Sequence, residues 1–228
     1  MNRLSDRLQL IADLVKAGES VADIGTDHGY LPLYLYEKGI SPHVVLGDVS
    51  RESLNKAIEN GKNYNPRPKE EDFRWGDGLK ILKLGEVDVI VLAGMGGELM
   101  CKILEDSIEL AKQVRLILQP RNHPELLRRF LRENGFTISH EYLTRENRFI
   151  WEIIVAEAGA SEKCSDLDYL YPPELLTWRE ELLPEYLQWK LSKEKLLLSR
   201  LHKGKDVAEE IHKHEMIINR LEEMINEI

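Results

Sequence analysis

Three aspartates stand among glycines near the start of this chain: Asp23 and Asp27 in Val21-Ala22-Asp23-Ile24-Gly25-Thr26-Asp27-His28-Gly29-Tyr30-Leu31-Pro32, and Asp48 in Leu46-Gly47-Asp48-Val49-Ser50. Glycine lets a backbone turn sharply and come close to a ligand. Carboxylates at such a turn would repel a pyrophosphate, and the Gly-x-Gly-x-x-Gly of dinucleotide binders is absent. They suit a cation. S-adenosylmethionine has an ammonium, a sulfonium and no phosphate. Asp48 follows Gly25 by 23 residues, where an acidic side chain can accept both hydroxyls of a ribose. In Gly76-Asp77-Gly78 a further carboxylate can accept an adenine amino group. The cofactor-side candidates are Asp23, Gly25, Thr26, Asp27, His28, Gly29, Tyr30, Asp48, Val49, Ser50, Asp77 and Gly78, joined by Ala93, Gly94 and Met95 of the next motif.

That motif is Leu92-Ala93-Gly94-Met95-Gly96-Gly97. Its three glycines let backbone approach a flat ring, against which Met95 could pack; the same run also reads as a tight or phosphate-binding turn. The Asn/Asp-Pro-Pro-aromatic loop of amino-group methyltransferases is missing here, and Asn65-Pro66 lies too early to replace it. Gln119-Pro120-Arg121-Asn122 adds a polar cluster at the same rim. The catalytic candidates are Asp27, His28, Gly94 and Met95, with Asp27 the carboxylate nearest the reacting centre. Asp27 and His28 could equally serve only to position the cofactor. Tyr34 and Lys38 imitate a dehydrogenase Tyr-x-x-x-Lys pair, but directly after the glycine loop that spacing is a coincidence.

The elements that would hold these residues alternate. Helical spacing of Leu4, Leu8, Ile11, Leu14 and Val15 predicts a helix over 4–17. Strands follow at 21–25, 43–48, 72–75, 87–93 and 115–119, and helices at 30–38, 51–62, 97–106 and 124–134. Segments 136–143 and 148–157 form an antiparallel pair split by Thr144-Arg145-Glu146-Asn147. The fold class is α/β, a Rossmann-like mostly parallel sheet of seven strands with helices on both faces, and right-handed crossovers gather the loops at one edge.

Composition changes near Gly159-Ala160-Ser161, giving two expected domains, 1–160 and 161–228, with a linker through Pro172-Pro173. The second is helical. A first helix is expected from Pro173 or Glu174 to Lys203, with a break near Pro184 and Gly204 as its stop. A second starts at Asp206 and carries Val207, Ile211, His214, Ile218, Leu221, Ile225 and Ile228 as a heptad seam. Leu183, Leu187, Leu191, Leu198 and Leu201 face that seam, implying an antiparallel coiled coil within one chain and a monomer. His202, His212 and His214 have no zinc arrangement, and Cys101 and Cys164 stand far apart, so no metal is expected.

The 228 residues carry a formal net charge of −9 and 43% hydrophobic side chains. No apolar run approaches a membrane span and the N-terminal residues lack a signal-peptide core, which predicts a cytoplasmic protein with no membrane partner. The charge is uneven. Lys112–Arg148 holds eight Lys/Arg against four Asp/Glu, Tyr186–Lys205 six against one, and Asp206–Ile228 two against seven. The basic stretches are either solvated helix faces or a grip on an RNA backbone.

Ser5-Asp6-Arg7-Leu8, Ala22 to Pro32, Ala93-Gly94-Met95-Gly96-Gly97, Leu118-Gln119-Pro120 and Asn134-Gly135-Phe136 together resemble the bacterial TrmK family over essentially the whole chain. Gly29 departs from the alanine expected there in most members. The resemblance implies S-adenosylmethionine as methyl donor, S-adenosylhomocysteine as product, and tRNA as partner, methylated on ring nitrogen 1 of the adenine at tRNA position 22. On this reading Arg7, Gly96, Gly97 and Gln119 face the RNA. Arg121, Arg128, Arg129, Arg132, Arg145 and Arg148, with Lys190, Lys193, Lys195, Arg200, Lys203 and Lys205, hold its phosphates. A non-catalytic S-adenosylmethionine-binding adaptor and a small-molecule methyltransferase are the competing readings.

Overall fold

The structure is a computed structural model and describes residues 4–162, 164–202 and 207–228. It divides into two compact units, Met1–Lys163 and Cys164–Ile228. Residues 159–161 stay with the first: Gly159 N–H donates to Gly135 O, Thr137 Oγ1 to Ala160 O and Ser161 Oγ to Phe136 O. The division therefore falls three residues beyond the compositional change.

In the first unit α1 (Asp6–Asp13) precedes β1 (Val21–Ile24), α2 (Tyr30–Glu37), β2 (Val44–Asp48), α3 (Arg51–Gly61), β3 (Phe73–Trp75), β4 (Val89–Met95), α4 (Gly97–Glu105), α5 (Ile108–Ala111), β5 (Arg115–Pro120), α6 (Pro124–Glu133), β6 (Phe136–Glu146) and β7 (Phe149–Ala158). The seven strands run in the order β3-β2-β1-β4-β5-β7-β6. The first five are parallel, and β7 pairs antiparallel with β5 and β6. β1 and β2 are buried at every residue, which is why they read as unbroken apolar runs rather than alternating ones. Between β1 and β4 the winding reverses direction, which opens a crevice at the carboxyl ends of those strands.

Local chemistry sets the boundaries. Ser5 and Ser50 cap α1 and α3 through their hydroxyls, and Gly29 enters α2 at a positive φ of 69°. β4 runs past the expected Ala93 because Met95 pairs with Pro120 across an irregularity in the ladder. The polar run 144–147 belongs mostly to β6. The hairpin needs only Asn147 and Arg148, with Asn147 at φ 56°, a conformation asparagine tolerates.

The second unit holds α7 (Asp166–Leu170), α8 (Glu174–Trp178), α9 (Leu183–Leu201) and α10 (Ala208–Asn226). The expected linker thus contains a helix, and the break expected near Pro184 falls just before it, at residues 179–182. Arg179, at φ 52°, ends α8, and Pro184 sits in the first turn of α9, where its missing N–H costs nothing. α9 and α10 pack on each other. Leu183, Tyr186, Leu187 and Leu191 are buried on one side, Ile217, Ile218, Leu221 and Met224 on the other. This is the wider stripe of a globular helix, not a strict heptad seam: Val207, Ile211, His214 and Ile225 are half-buried and Ile228 is exposed. A fully buried leucine such as Leu221 contributes about 2 kcal/mol to the pairing. His214 Nδ1 lies 2.6 Å from Glu194 Oε2, a satisfied contact between the helices. The expected stop at Gly204 and cap at Asp206 lie outside the described residues, as do Lys203 and Lys205.

Candidate active site

The ends of β1, β4 and β5 and the start of α1 enclose a cavity of about 290 Å³ lined by Arg7, Leu8, Asp23, Gly25, Thr26, Asp27, His28, Tyr30, Leu31, Ala93, Gly94 and Arg121. A larger cavity of about 460 Å³, with Ile58, Phe73 and Lys69 in its wall, holds none of the candidate residues. Size alone does not locate the chemistry; convergent polar groups do.

Asp23 ends in this crevice because a parallel strand points its last residues there. The Thr26 hydroxyl donates to it at 2.7 Å. Burial pushes the Asp23 carboxyl up to about 6; Thr26 pulls it down, Asp48 pushes it up and Arg7 pulls it down. A carboxyl held up by desolvation gains from a cation placed beside it. Asp48 closes the loop from the neighbouring strand: its two oxygens accept the N–H of Ser50 at 2.8 Å and of Asp27 at 3.1 Å. Gly25 and Thr26 donate backbone N–H to Gly47 O. Positive φ at Gly25 (78°) and Asp27 (48°) bends the loop over the strand ends. A Cβ at Gly25 would fall 2.8 Å from Met95 Cε, so the two candidate loops interlock there.

Asp27 and His28 stand at the mouth. Their side chains are 62% and 42% exposed, with His28 Nε2 3.8 Å from Asp27 Oδ2, too far for a hydrogen bond. The His28 ring stacks on Tyr30, centroids 5.3 Å apart. Val49 is exposed at the end of β2, and its carbonyl accepts the indole N–H of Trp75, over which Arg51 lies at 4.1 Å. Asp77 is exposed and paired with Lys80 at 2.7 Å, an exchangeable surface contact, and Gly78 follows at φ 55°.

Several residues expected to face RNA serve the fold. Gln119 is buried: its Oε1 accepts Arg7 Nη1 at 2.8 Å and Gly94 N–H at 3.1 Å, while its Nε2 donates to Pro120 O. Arg7 also donates to Glu146 at 3.3 Å. Arg7, Gln119 and Glu146 thus form a clasp that fixes the backbone at Gly94. Its signal in the sequence was an amide inside the apolar run of β5, since a buried amide must find partners. Gly96 and Gly97 press against Asn122 and His123, with a Cβ at Gly97 only 2.3 Å from His123 O, so their bareness serves loop packing. Arg128 is 1% exposed and makes a two-pronged pair with Glu141 at 2.7 and 2.8 Å, with Glu152 at 3.5 Å. It cannot reach a phosphate. Arg121, Arg145 and Arg148 are exposed, and Arg129 and Arg132 are half-buried. Lys190, Lys193, Lys195 and Arg200 lie on α9 in the other unit.

The donor set fits a nucleoside with a cationic side chain. Buried Asp23 faces the cavity, Asp48 keeps lone pairs beyond its two backbone bonds, and Gly94 presents bare backbone towards Arg7. Among the described residues no His, Cys, Asp and Glu group is arranged to hold a metal, and no helix is long and apolar enough to cross a membrane.

Residues 4–154 match the methyltransferase domain family. The chain is 36% identical over 169 residues to the tRNA (adenine(22)-N(1))-methyltransferase of Bacillus subtilis, spanning 72% of this chain and 69% of that protein. The crystal structure of the B. subtilis m1A22 tRNA methyltransferase TrmK superposes with a TM-score of 0.85 at 28% identity, over 98% of this chain and 99% of that one. A Streptococcus pneumoniae structure in complex with S-adenosyl-L-methionine superposes with a TM-score of 0.84 at 31% identity, over 98% of this chain and 100% of that one.

Proposed function

The chain belongs to the tRNA (adenine(22)-N(1))-methyltransferase family, and from that premise we propose that it methylates ring nitrogen 1 of the adenine at tRNA position 22, acting in the cytoplasm as a monomer whose α9–α10 helix pair is intramolecular. The observation that carries this reading is the pairing, in one cavity, of the buried Asp23 carboxyl with the bare backbone of Gly94. S-adenosylmethionine supplies the methyl group as an electrophile and is left as S-adenosylhomocysteine.

Asp23 and the loop 25–29 would hold the ammonium end, Asp48 the ribose, and Val49 with Asp77 the adenine of that cofactor. Ring nitrogen 1 of the target adenine has an in-plane lone pair, so no side chain need remove a proton before attack. The chain's task is alignment and charge. Asp27, at the cavity mouth, offers a carboxylate to the positive charge that forms on the methylated base. His28, braced by Tyr30, gives that base a flat surface. The clasp of Arg7 and Gln119 holds Gly94 still beneath it. The base must leave its pairing to enter, at a cost of a few kcal/mol that the RNA grip offsets.

Purified protein incubated with methyl-labelled S-adenosylmethionine and a tRNA transcript tests this. Label is expected in a transcript with adenine at tRNA position 22 and lost when guanine replaces it. Equal label in both transcripts, or cofactor binding without transfer, overturns the reading.

A further inference from the structure

Trp189, Lys193, Leu196 and Arg200 follow one another on α9 at spacings of four, three and four residues, which places them on one helix face. That face is turned away from Leu187 and Leu191, the buried contacts with the rest of the unit. Leu196 is 52% and Leu197 43% exposed. The Lys193 ammonium lies 4.1 Å from the centre of the Trp189 ring. The Lys190 ammonium lies 5.6 Å from the same ring, and 5.0 and 5.9 Å from those of Tyr186 and Tyr171. Tyr186 and Tyr171 are buried, so this end of the stripe is anchored in the core of the unit.

The cations are disposed unevenly. Lys195, on the flank, pairs with Glu222 at 2.7 Å. Among the described residues neither Lys193 nor Arg200 has a carboxylate partner. Two neighbouring leucines in water beside an indole and two uncompensated cations need a ligand that is anionic and flat at once. A single-stranded nucleic acid has both properties, since each nucleotide brings a phosphate and a base with an open face. A duplex would offer the cations its phosphates and leave the leucines in water and the half-buried indole without a stacking partner. The stripe spans twelve residues, about 16 Å of helix from first to last, which is room for a short unpaired run.

We propose that this face of α9 is a stacking platform for unpaired nucleotides of the tRNA. Trp189 receives a base, Leu196 lies under the next sugar or base, and Lys193 and Arg200 take the flanking phosphates. The proposal rests on the reading of the chain as a tRNA methyltransferase and deepens it.

The test uses the full chain with S-adenosylhomocysteine and fluorescently labelled tRNA transcript, read by anisotropy, beside methyl-transfer kinetics. W189A is expected to raise the Kd for tRNA roughly 5- to 100-fold, the loss of one stacked base. W189F keeps affinity within about threefold, because a phenyl ring still stacks. Both keep kcat at saturating tRNA and the same S-adenosylhomocysteine affinity, since the platform touches no reacting atom. L196E places a carboxylate on an exposed position that the fold does not use, and weakens binding about tenfold or more, by charge repulsion. An unchanged Kd in L196E or in folded W189A overturns the proposal, as does equal loss in W189A and W189F. A wild-type protein that transfers no methyl to tRNA fails the enzymatic premise instead, and anisotropy still reports whether the platform binds RNA.

Discussion

The two basic stretches of this chain look alike in sequence, yet among the described residues only the first has a cation buried in the fold. In the sheet unit, Arg115 donates to Leu14 O and pairs with Glu19, and Arg128 is enclosed by Glu141 and Glu152. In the helical unit, Lys193 and Arg200 stay at the surface. The difference follows from what each stretch must do. Residues 112–148 thread a sheet whose faces are covered, so a cation whose side chain turns inward, such as Arg128, must pair there, while Arg121, Arg145 and Arg148 at the rim stay exposed. Residues 186–201 form one helix with half its circumference in water.

Arg128→Ala should give the largest effect. It leaves two carboxylates buried without their cation, which costs about 3–5 kcal/mol, measurable by urea denaturation. If the variant keeps its stability and loses tRNA affinity instead, the contrast between the stretches collapses.

Asp23 tests the same inward charge by pH. Its folded carboxyl titrates at about 6 against an ordinary 3.8, so the folded state keeps a proton that the unfolded chain releases. Stability of the cofactor-free protein is therefore fully present below about pH 4 and declines as pH rises to about 6, by about 3 kcal/mol at most. Asp23→Asn should flatten that decline. S-adenosylhomocysteine affinity should move the other way, strengthening through pH 6 as the carboxylate forms for its ammonium. A pH-independent affinity by calorimetry separates Asp23 from the cofactor.

Gln119→Leu removes the shared acceptor of Arg7 and the Gly94 N–H, an unsatisfied-donor cost of about 1–3 kcal/mol. A fall in kcat at unchanged KM for tRNA is expected. A raised KM alone returns Gln119 to the RNA surface.

The smallest effects belong to the arm. Lys193→Ala and Arg200→Ala should each alter stability by no more than about 0.5 kcal/mol. Each should lower the salt slope of tRNA binding by about 1. An unaltered slope in both variants makes the helical stretch as unavailable to RNA as Arg128 is.

Much of the sheet was legible because covered parallel strands are continuous apolar runs and their ends carry the polar residues. The loop from Asp23 to Tyr30, Asp48 and the glycines from Gly94 were readable for that reason: backbone turns demand glycine, and strand ends deliver side chains to one edge. The clasp was not readable, because Arg7, Gln119 and Glu146 lie more than one hundred residues apart at its ends and meet only when α1, β5 and β6 converge. Nor was the helix within 166–170, where a Ser165–Asp168 capping box stabilises a segment too short to show periodicity.

The amino-acid sequence by itself determined the chemistry available: carboxylates around a glycine turn, a bare loop opposite, and a surplus of cations in two stretches. Tertiary structure alone decided which charges are spent. A residue type sets what a side chain can bond, but burial sets whether water or another side chain is there to bond it. That choice depends on neighbours brought from distant parts of the chain, which is why Arg128 braces the sheet while Lys193 remains open to solvent.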